Sequence, residues 1–443
     1  MNSVEDLLAE EEASGPRDLR SRYLNAITLV QRFGKPDLFI TITCNPNWPE
    51  IKQELAPAEL AQNRPDLIAR IFHANLIALK KQIMEEKFFG EVAALIYVVE
   101  FQKRGLPHAH ILLILAPGYK IKDAAAFDKF VTAEIPSTQN PHLRQDVLSH
   151  MMHGPCGKAN PECSCMKHKG RLGVCKYGYP KPYVAETISH EDGYPMYRRR
   201  DTGETVMIQR KPMDNRWVIP YNPHLLALYD CHVNVEVSST IRAVKYLYKY
   251  VYKGHDRISF NVSSVDNPKP RDEIGKFQSG RWVSPCEAAW RLFSVGLFEM
   301  IPPVLPLQIH LPNLHTVQFR PGESLESVVN DSKRQKTALT EFYAMNAANP
   351  DGPQYLYSEF SEHFVWTASA KTWTKRETKK KVIGRMAFVS PSEGERYYLR
   401  LLLANVRGPK SFQDLRTVNG YIHATYQEVA VKLGLVVEDD AAD

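Results

Sequence analysis

The chain contains no apolar run approaching the ~18 residues that cross a bilayer. Its opening, Met1 to Gly15, is acidic and lacks the basic start and apolar middle of a secretory signal. A soluble intracellular protein is therefore expected, with no membrane partner. An excess of one charge is also missing: 56 Lys and Arg against 50 Asp and Glu leave +6, which permits a polyanionic partner without demanding one. Cysteine is scarce, seven in all, and four of the seven fall between Cys156 and Cys175. An odd, clustered set argues against a disulfide framework and for metal. No internal repeat occurs, which removes solenoid and propeller architectures. What remains is a 443-residue chain with 44% hydrophobic residues, enough for real cores in roughly two to four domains.

Periodicity orders the first third. A short helix over Arg22 to Arg32 leads to Pro36-Asp37 and the apolar strand Leu38 to Thr43. From Pro65 to Glu86, Leu67, Ile68, Ile71, Phe72, Leu76, Ile77, Leu79 and Ile83 recur at helical spacing. Val92 to Phe101 and His108 to Leu115 then read as two strands joined closely enough to form a hairpin. This predicts an α+β fold: a central antiparallel sheet with flanking helices.

Residues 1–20 read as a flexible leader, with the core in 21–139 and 231–266. Between them, 140–230 is a Gly-, Pro-, Cys- and His-rich insertion with β-like runs at Tyr194 to Arg198, Thr205 to Arg210 and Trp217 to Tyr221. His232 to Val237 reads as a returning strand. Proline-rich linkers at Asn267 to Pro270 and Ile301 to Pro306 introduce a mixed C-terminal region, 267–443.

Two constellations carry chemistry. His108 and His110 stand two apart on a strand and so point their imidazoles to one side, where a single metal can take both. Gln102 and Glu100, two apart on the preceding strand, are the candidates for a third ligand. A carboxamide, two imidazoles and waters suit Mn²⁺ or Mg²⁺, with open positions left for a phosphate oxygen. The competing account is a pair of half-buried strand histidines satisfied by backbone.

The second constellation is the run from Lys245 to Gly254. At ~100° per residue, Tyr248 and Tyr252 fall on the apolar side of a helix. Tyr246 and Tyr250 fall among cations, including Arg242, Lys249 and Lys253. A phenol, with an ordinary pKa near 10, needs such neighbours to become a nucleophile at neutral pH. An aromatic-rich amphipathic helix without chemistry is the competing account.

Three motifs now lie in order: Phe33-Gly34-Lys35-Pro36-Asp37 running on to Pro49-Glu50, Glu100-Phe101-Gln102-Lys103-Arg104-Gly105-Leu106-Pro107-His108-Ala109-His110, and the tyrosine run. Together they closely resemble the Rep nuclease region of Helitron rolling-circle transposases, two-tyrosine members of the HUH endonucleases, over roughly residues 20–435. The resemblance implies the HUH fold, a Mn²⁺ or Mg²⁺ cofactor and a eukaryotic, nuclear setting. It matches His108 and His110 to metal ligands, Gln102 to the third ligand, and Tyr246 and Tyr250 to the nucleophiles. Such enzymes cut single-stranded DNA, one tyrosine taking the 5′ phosphate and a 3′ hydroxyl being left; the second tyrosine allows strand transfer.

His153, Cys156, Cys163, Cys165 and Cys175 suit a structural Zn²⁺, with His153, Cys156, Cys165 and Cys175 favoured and Cys163 or His168 as substitutes. Free structural cysteines are the other account. Expected DNA contacts are Arg104, Arg242, Trp48 by base stacking, and Lys375 and Arg376, which surround Trp373 in a basic stretch. Core packing of Trp48 and a solvated charged face at 371–385 compete with that reading. Arg281, Trp282, Cys286, Trp290 and Arg291 match a recurrent family stretch for which packing or phosphate contact is the expectation.

The helicase that follows the nuclease in the family has no counterpart here. No Gly-x-x-x-x-Gly-Lys-Ser/Thr occurs, so unwinding is expected from elsewhere. Two other functions stay open at this point: a non-cleaving single-stranded DNA-binding module, and a metal phosphodiesterase using activated water.

Overall fold

A computed structural model describes residues 16–101, 105–157, 160–166, 174–188, 195–238, 283–317, 322–378 and 381–436. It divides into two compact units, residues 1–301 and 302–443. The second proline-rich linker, at Ile301 to Pro306, coincides with that division; the first, at 267–270, lies outside the described residues.

The first unit is built on a five-stranded sheet of order β6-β1-β3-β2-β7, in which every neighbouring pair is antiparallel. Its strands are β1 (Leu38–Thr43), β2 (Val92–Phe101), β3 (Pro107–Leu115), β6 (Val233–Val237) and β7 (Phe298–Ile301). Strand residues alternate between its two faces. Leu38, Ile40 and Ile42 of β1, Ile111 and Leu113 of β3, and Val233 and Val235 of β6 point to one side and are fully buried. Helix α3 (Pro65–Met84) covers that side with Leu67, Ile68, Phe72, Leu76, Leu79 and Ile83, and Ile71 packs against them partly buried, whereas Ile77 of the predicted set faces solvent at 49% exposure. Pro65 opens the helix at a position where its missing N–H costs nothing.

On the opposite side, α1 (Pro16–Phe33) contributes Arg22, whose guanidinium lies 5.5 Å from the centre of the Phe298 ring. Helix α1 extends beyond the predicted Arg22 to Arg32 at both ends. A short helix α2 (Pro49–Lys52) follows β1.

Two features fall outside the expected core boundaries. Helix α7 (Pro285–Leu292) places Cys286, Ala289 and Trp290 in the sheet's core, and β7 pairs with β2. The region expected to begin a separate domain at 267 therefore supplies the last strand and a core helix of the first unit.

The 140–230 segment is likewise integrated. Its helices α5 (Pro141–His150) and α6 (Pro223–Tyr229) flank a stretch that, among the described residues, is held mostly by isolated bridges and a short β4–β5 hairpin (Val206–Ile208, Lys211–Met213). Tyr221 bridges to Asn234, and the Val237 N–H donates to the Tyr197 hydroxyl at 2.7 Å. In the predicted runs at Tyr194 to Arg198 and Trp217 to Tyr221, Met196, Val218 and Tyr221 form isolated bridges and the described residues form no strand; Tyr194 lies outside the described residues.

The basic bunch Arg198-Arg199-Arg200 is spent internally. Arg199 is buried and donates to the carbonyls of Ala133, Asn215 and Val218, while Arg200 pairs with Glu134 at 2.7 Å.

The second unit has its own core, with Leu339, Phe342, Tyr357, Phe360, Trp373, Leu399, Leu402 and Leu403 all buried. Its main elements are α9 (Ala338–Ala348), α11 (Glu395–Asn405), α12 (Tyr426–Lys432), the β9–β10 hairpin (Phe364–Thr367, Thr372–Lys375) and the parallel pair β8 (Val304–Leu307) and β11 (Ile383–Met386). Among the described residues no helix is long and apolar enough to cross a membrane.

Candidate metal centres

Register brings the histidine pair to its third ligand. In the β2–β3 hairpin Glu100 stands opposite His108 and Val98 opposite His110, while on the other flank Thr41 of β1 stands opposite His110. Glu100, His108, His110 and Thr41 thus share one face of the sheet, the one turned away from α3. Glu100 Oε2 lies 3.3 Å from His108 Nε2 and 3.8 Å from His110 Nε2. Ligand atoms bound to one cation at about 2.1 Å sit about 3.0 Å apart or somewhat more, so these three atoms can share an ion with small adjustments.

The three side chains are 12%, 12% and 8% exposed. Glu100 Oε1 and His108 Nδ1 are buried without a hydrogen-bond partner among the described residues. Buried carboxylate oxygen is costly unless something positive answers it, and a carboxylate with two imidazoles fits a divalent cation.

Thr41, which the sequence reading did not single out, makes the arrangement directional. Its hydroxyl lies 2.9 Å from His110 Nδ1, and when Nδ1–H donates to it, Nε2 keeps its lone pair for a metal. The His110 ring also stacks on Phe39 at 5.6 Å. The signal in the sequence is the alternation of β1, where Phe39, Thr41 and Thr43 are the residues between the buried ones. Of the two candidates for third ligand, Glu100 is brought to the pair, and Gln102 lies outside the described residues. Tyr246, Tyr250, Lys249, Lys253, Arg104 and Arg242 lie outside them too.

A second centre forms in the insertion. One ligand atom from each of His153, Cys156, Cys165 and Cys175 lies within 4.8 Å of the others. His153 Nε2 is 3.6 Å from Cys156 Sγ and 3.5 Å from Cys175 Sγ. Tetrahedral zinc with Zn–S near 2.3 Å and Zn–N near 2.0 Å requires N···S separations of about 3.5 Å. Cys163 is outside this set, its Sγ 3.4 Å from that of Cys165, and His168 lies outside the described residues. Burial pushes the Cys156 and Cys165 thiols up. Cys175 resists the same burial through the N–H groups of Tyr179 and Tyr177 and ends below the ordinary thiol value, as suits a thiolate ligand. Burial, with Lys181 nearby, lowers the pKa of His153 and keeps it in its ligating neutral form. Its ring stacks on Tyr179 at 4.2 Å.

Several expected DNA contacts are structural instead. Trp48 is 3% exposed, and its indole N–H donates to the Tyr229 carbonyl at 2.6 Å, so no face is left for a base. Trp373 is a core residue whose indole N–H donates to the Ala338 carbonyl. Arg376 donates to the carbonyls of Ser361 and Phe364, bracing the chain around β9, whereas its neighbour Lys375 is exposed. Trp290 is packing, as expected, and Arg291 pairs with Glu287 at 3.0 Å; Arg281 and Trp282 lie outside the described residues.

Residues 6–113 match the family described as the Helitron helicase-like domain at the N-terminus. The matched stretch contains β1, β2, Glu100, His108 and His110. It is consistent with the N-terminal Rep/HUH region of a Helitron transposase. A search of curated proteins gives no match.

Proposed function

We propose, starting from the Helitron-related domain and the transposase-derived protein it supports, that this chain cuts and rejoins single-stranded DNA as a metal-dependent endonuclease and strand transferase. The observation that carries the reading is the convergence of Glu100, His108 and His110 on one buried point of the sheet. Glu100, His108 and His110 would hold Mn²⁺ or Mg²⁺, which supplies Lewis-acid polarisation of a scissile phosphate when bound. Thr41 and Phe39 fix the His110 ring before substrate arrives, so no reorganisation is needed at the moment of reaction.

Tyr246 and Tyr250 are the proposed nucleophiles, and Lys249 and Lys253 the cations that favour phenolate. One phenolate oxygen bonds to phosphorus as the phosphorus–O3′ bond breaks; the leaving oxygen takes a proton and becomes a 3′ hydroxyl. The reverse reaction, on another 3′ hydroxyl, joins strands. Since the phosphoester is conserved throughout, no nucleotide cofactor is consumed. The setting we assign is nuclear, with unwinding supplied by a helicase. The Cys/His centre takes a structural Zn²⁺, because four protein ligands leave no open position.

The test is to incubate the protein with end-labelled single-stranded DNA and Mn²⁺ and to look for a denaturation-resistant adduct. Adduct formation that disappears in the Tyr246→Phe/Tyr250→Phe double variant is expected. Cleavage that persists in the double variant would mean activated water, and tight binding with neither cleavage nor adduct would mean a binding module.

A further inference from the structure

Between the metal-bearing face of the sheet and the Cys/His centre lies a cavity of about 810 Å³, to which Phe39, Thr41, His110 and His153 all contribute. One residue of each centre thus looks into the same space. The segment that leaves Cys175 also lines it, with Lys176, Tyr177 and Lys181.

Tyr177 is 57% exposed, an aromatic ring set at the edge of a cavity rather than in the core. Its position is nevertheless fixed. Its backbone N–H donates to Cys175 Sγ at 3.4 Å, its carbonyl accepts from Lys181 Nζ at 2.7 Å, and its ring meets His153 edge-on at 6.0 Å. Lys176 Nζ stands 5.0 Å from the ring centre and Lys181 Nζ 5.1 Å from that of Tyr179.

An exposed ring on a rigid backbone with ammonium groups beside it is how proteins hold single strands: the base stacks, the phosphate meets the cation. The volume lies toward the upper end of what small-ligand sites offer and has room for a nucleotide.

We propose that this cavity seats a nucleotide of the single strand beside the phosphate held at Glu100, His108 and His110, with Tyr177 as its stacking platform and Lys176 as its phosphate partner. The proposal rests on the nuclease reading and specifies the substrate contact of the same site. It also gives the Cys/His metal a task, to hold the segment that carries the platform.

The probe is a fluorescein-labelled single-stranded oligonucleotide of mixed sequence, with 2-aminopurine placed at successive positions in parallel samples. Binding is read by anisotropy on the zinc-loaded full chain with Mn²⁺. Tyr177→Ala is expected to weaken binding roughly 5- to 100-fold, the loss of one stacked base, and to remove the aminopurine quenching at one position near the cleavage point. Tyr177→Trp keeps both. Lys176→Gln should make the salt dependence shallower by about 0.7 in the log–log slope, one phosphate contact on a single strand.

Because Tyr177 is exposed, the variants should fold, which unchanged zinc content and circular dichroism check. If Tyr177→Ala binds and quenches like the parent, the pocket is refuted, while a surviving tyrosyl adduct in the parent leaves the nuclease reading in place. Tyr177-dependent quenching without any adduct keeps the pocket and removes the nuclease reading. A parent chain that binds no single strand removes both.

Discussion

Thr41 costs the fold nothing special, yet its hydroxyl decides which nitrogen of His110 is available. Replacing it by valine keeps the shape and removes the hydrogen bond. Outer partners of this kind are worth about 10- to 100-fold in metal affinity, so Thr41→Val should weaken Mn²⁺ binding by that factor in calorimetric titration, with little change in melting temperature of the metal-free protein.

Trp48 behaves oppositely. Trp48→Ala should cost about 3–5 kcal/mol in urea unfolding, as large core truncations do, and Trp48→Phe should bind single-stranded DNA as the parent does. A stacking role would reverse that pattern, with affinity lost and stability kept.

His310, in the second unit, gives a pH prediction. It is buried between the Leu311 carbonyl at Nδ1 (2.9 Å) and the Thr337 hydroxyl at Nε2 (2.8 Å). Burial pushes its pKa below the ordinary 6.5, with His315 and Arg396 acting in the same direction against the Leu311 carbonyl. The unfolded chain therefore takes up the proton at a higher pH than the folded one. The stability tied to neutral His310 is complete above about pH 6.5 and is lost as pH falls through that value toward the folded pKa. Denaturation at pH 7.5 and 5.5 checks this, and the loss should be smaller in His310→Gln.

The hairpin and the strand before it were readable because alternation and turn composition are local signals. Leu38 to Thr43 and Val92 to Phe101 match the observed strands end for end, and the Pro65 helix stops two residues before its predicted end. Helix α7 and strand β7 were not readable as parts of this sheet. A four-residue strand carries too little pattern, and its partner β2 is some two hundred residues earlier, a pairing that only the closed chain reveals. The docking of α7 is energetically substantial all the same. Trp290 is almost fully buried and meets Phe72, His73 and Phe101. Trp290→Ala should destabilise the first unit by about 3–5 kcal/mol in urea unfolding, and a much smaller loss would mean α7 is not a core element.

Across the full chain, two separate cores predict two unfolding events. Zinc analysis should find one tightly held ion per chain, retained in Cys163→Ser and lost in Cys175→Ser, since only the latter belongs to the four-ligand set. Chelation should lower the melting of one transition, that of the first unit, and leave the other in place, because metal binding energy is folding energy for the segment that supplies the ligands.

Residue types and short spacings were enough to nominate the histidine pair, the four favoured zinc ligands and the central strands, because each is encoded within a few residues. The placing of Glu100 beside the pair, the recruitment of Thr41, the burial of Trp48 and Trp373, and the joining of α7 and β7 to the sheet required the tertiary structure. Each of those depends on which side of a strand or helix meets a distant neighbour. Spacing along a chain fixes faces; only packing decides what those faces touch.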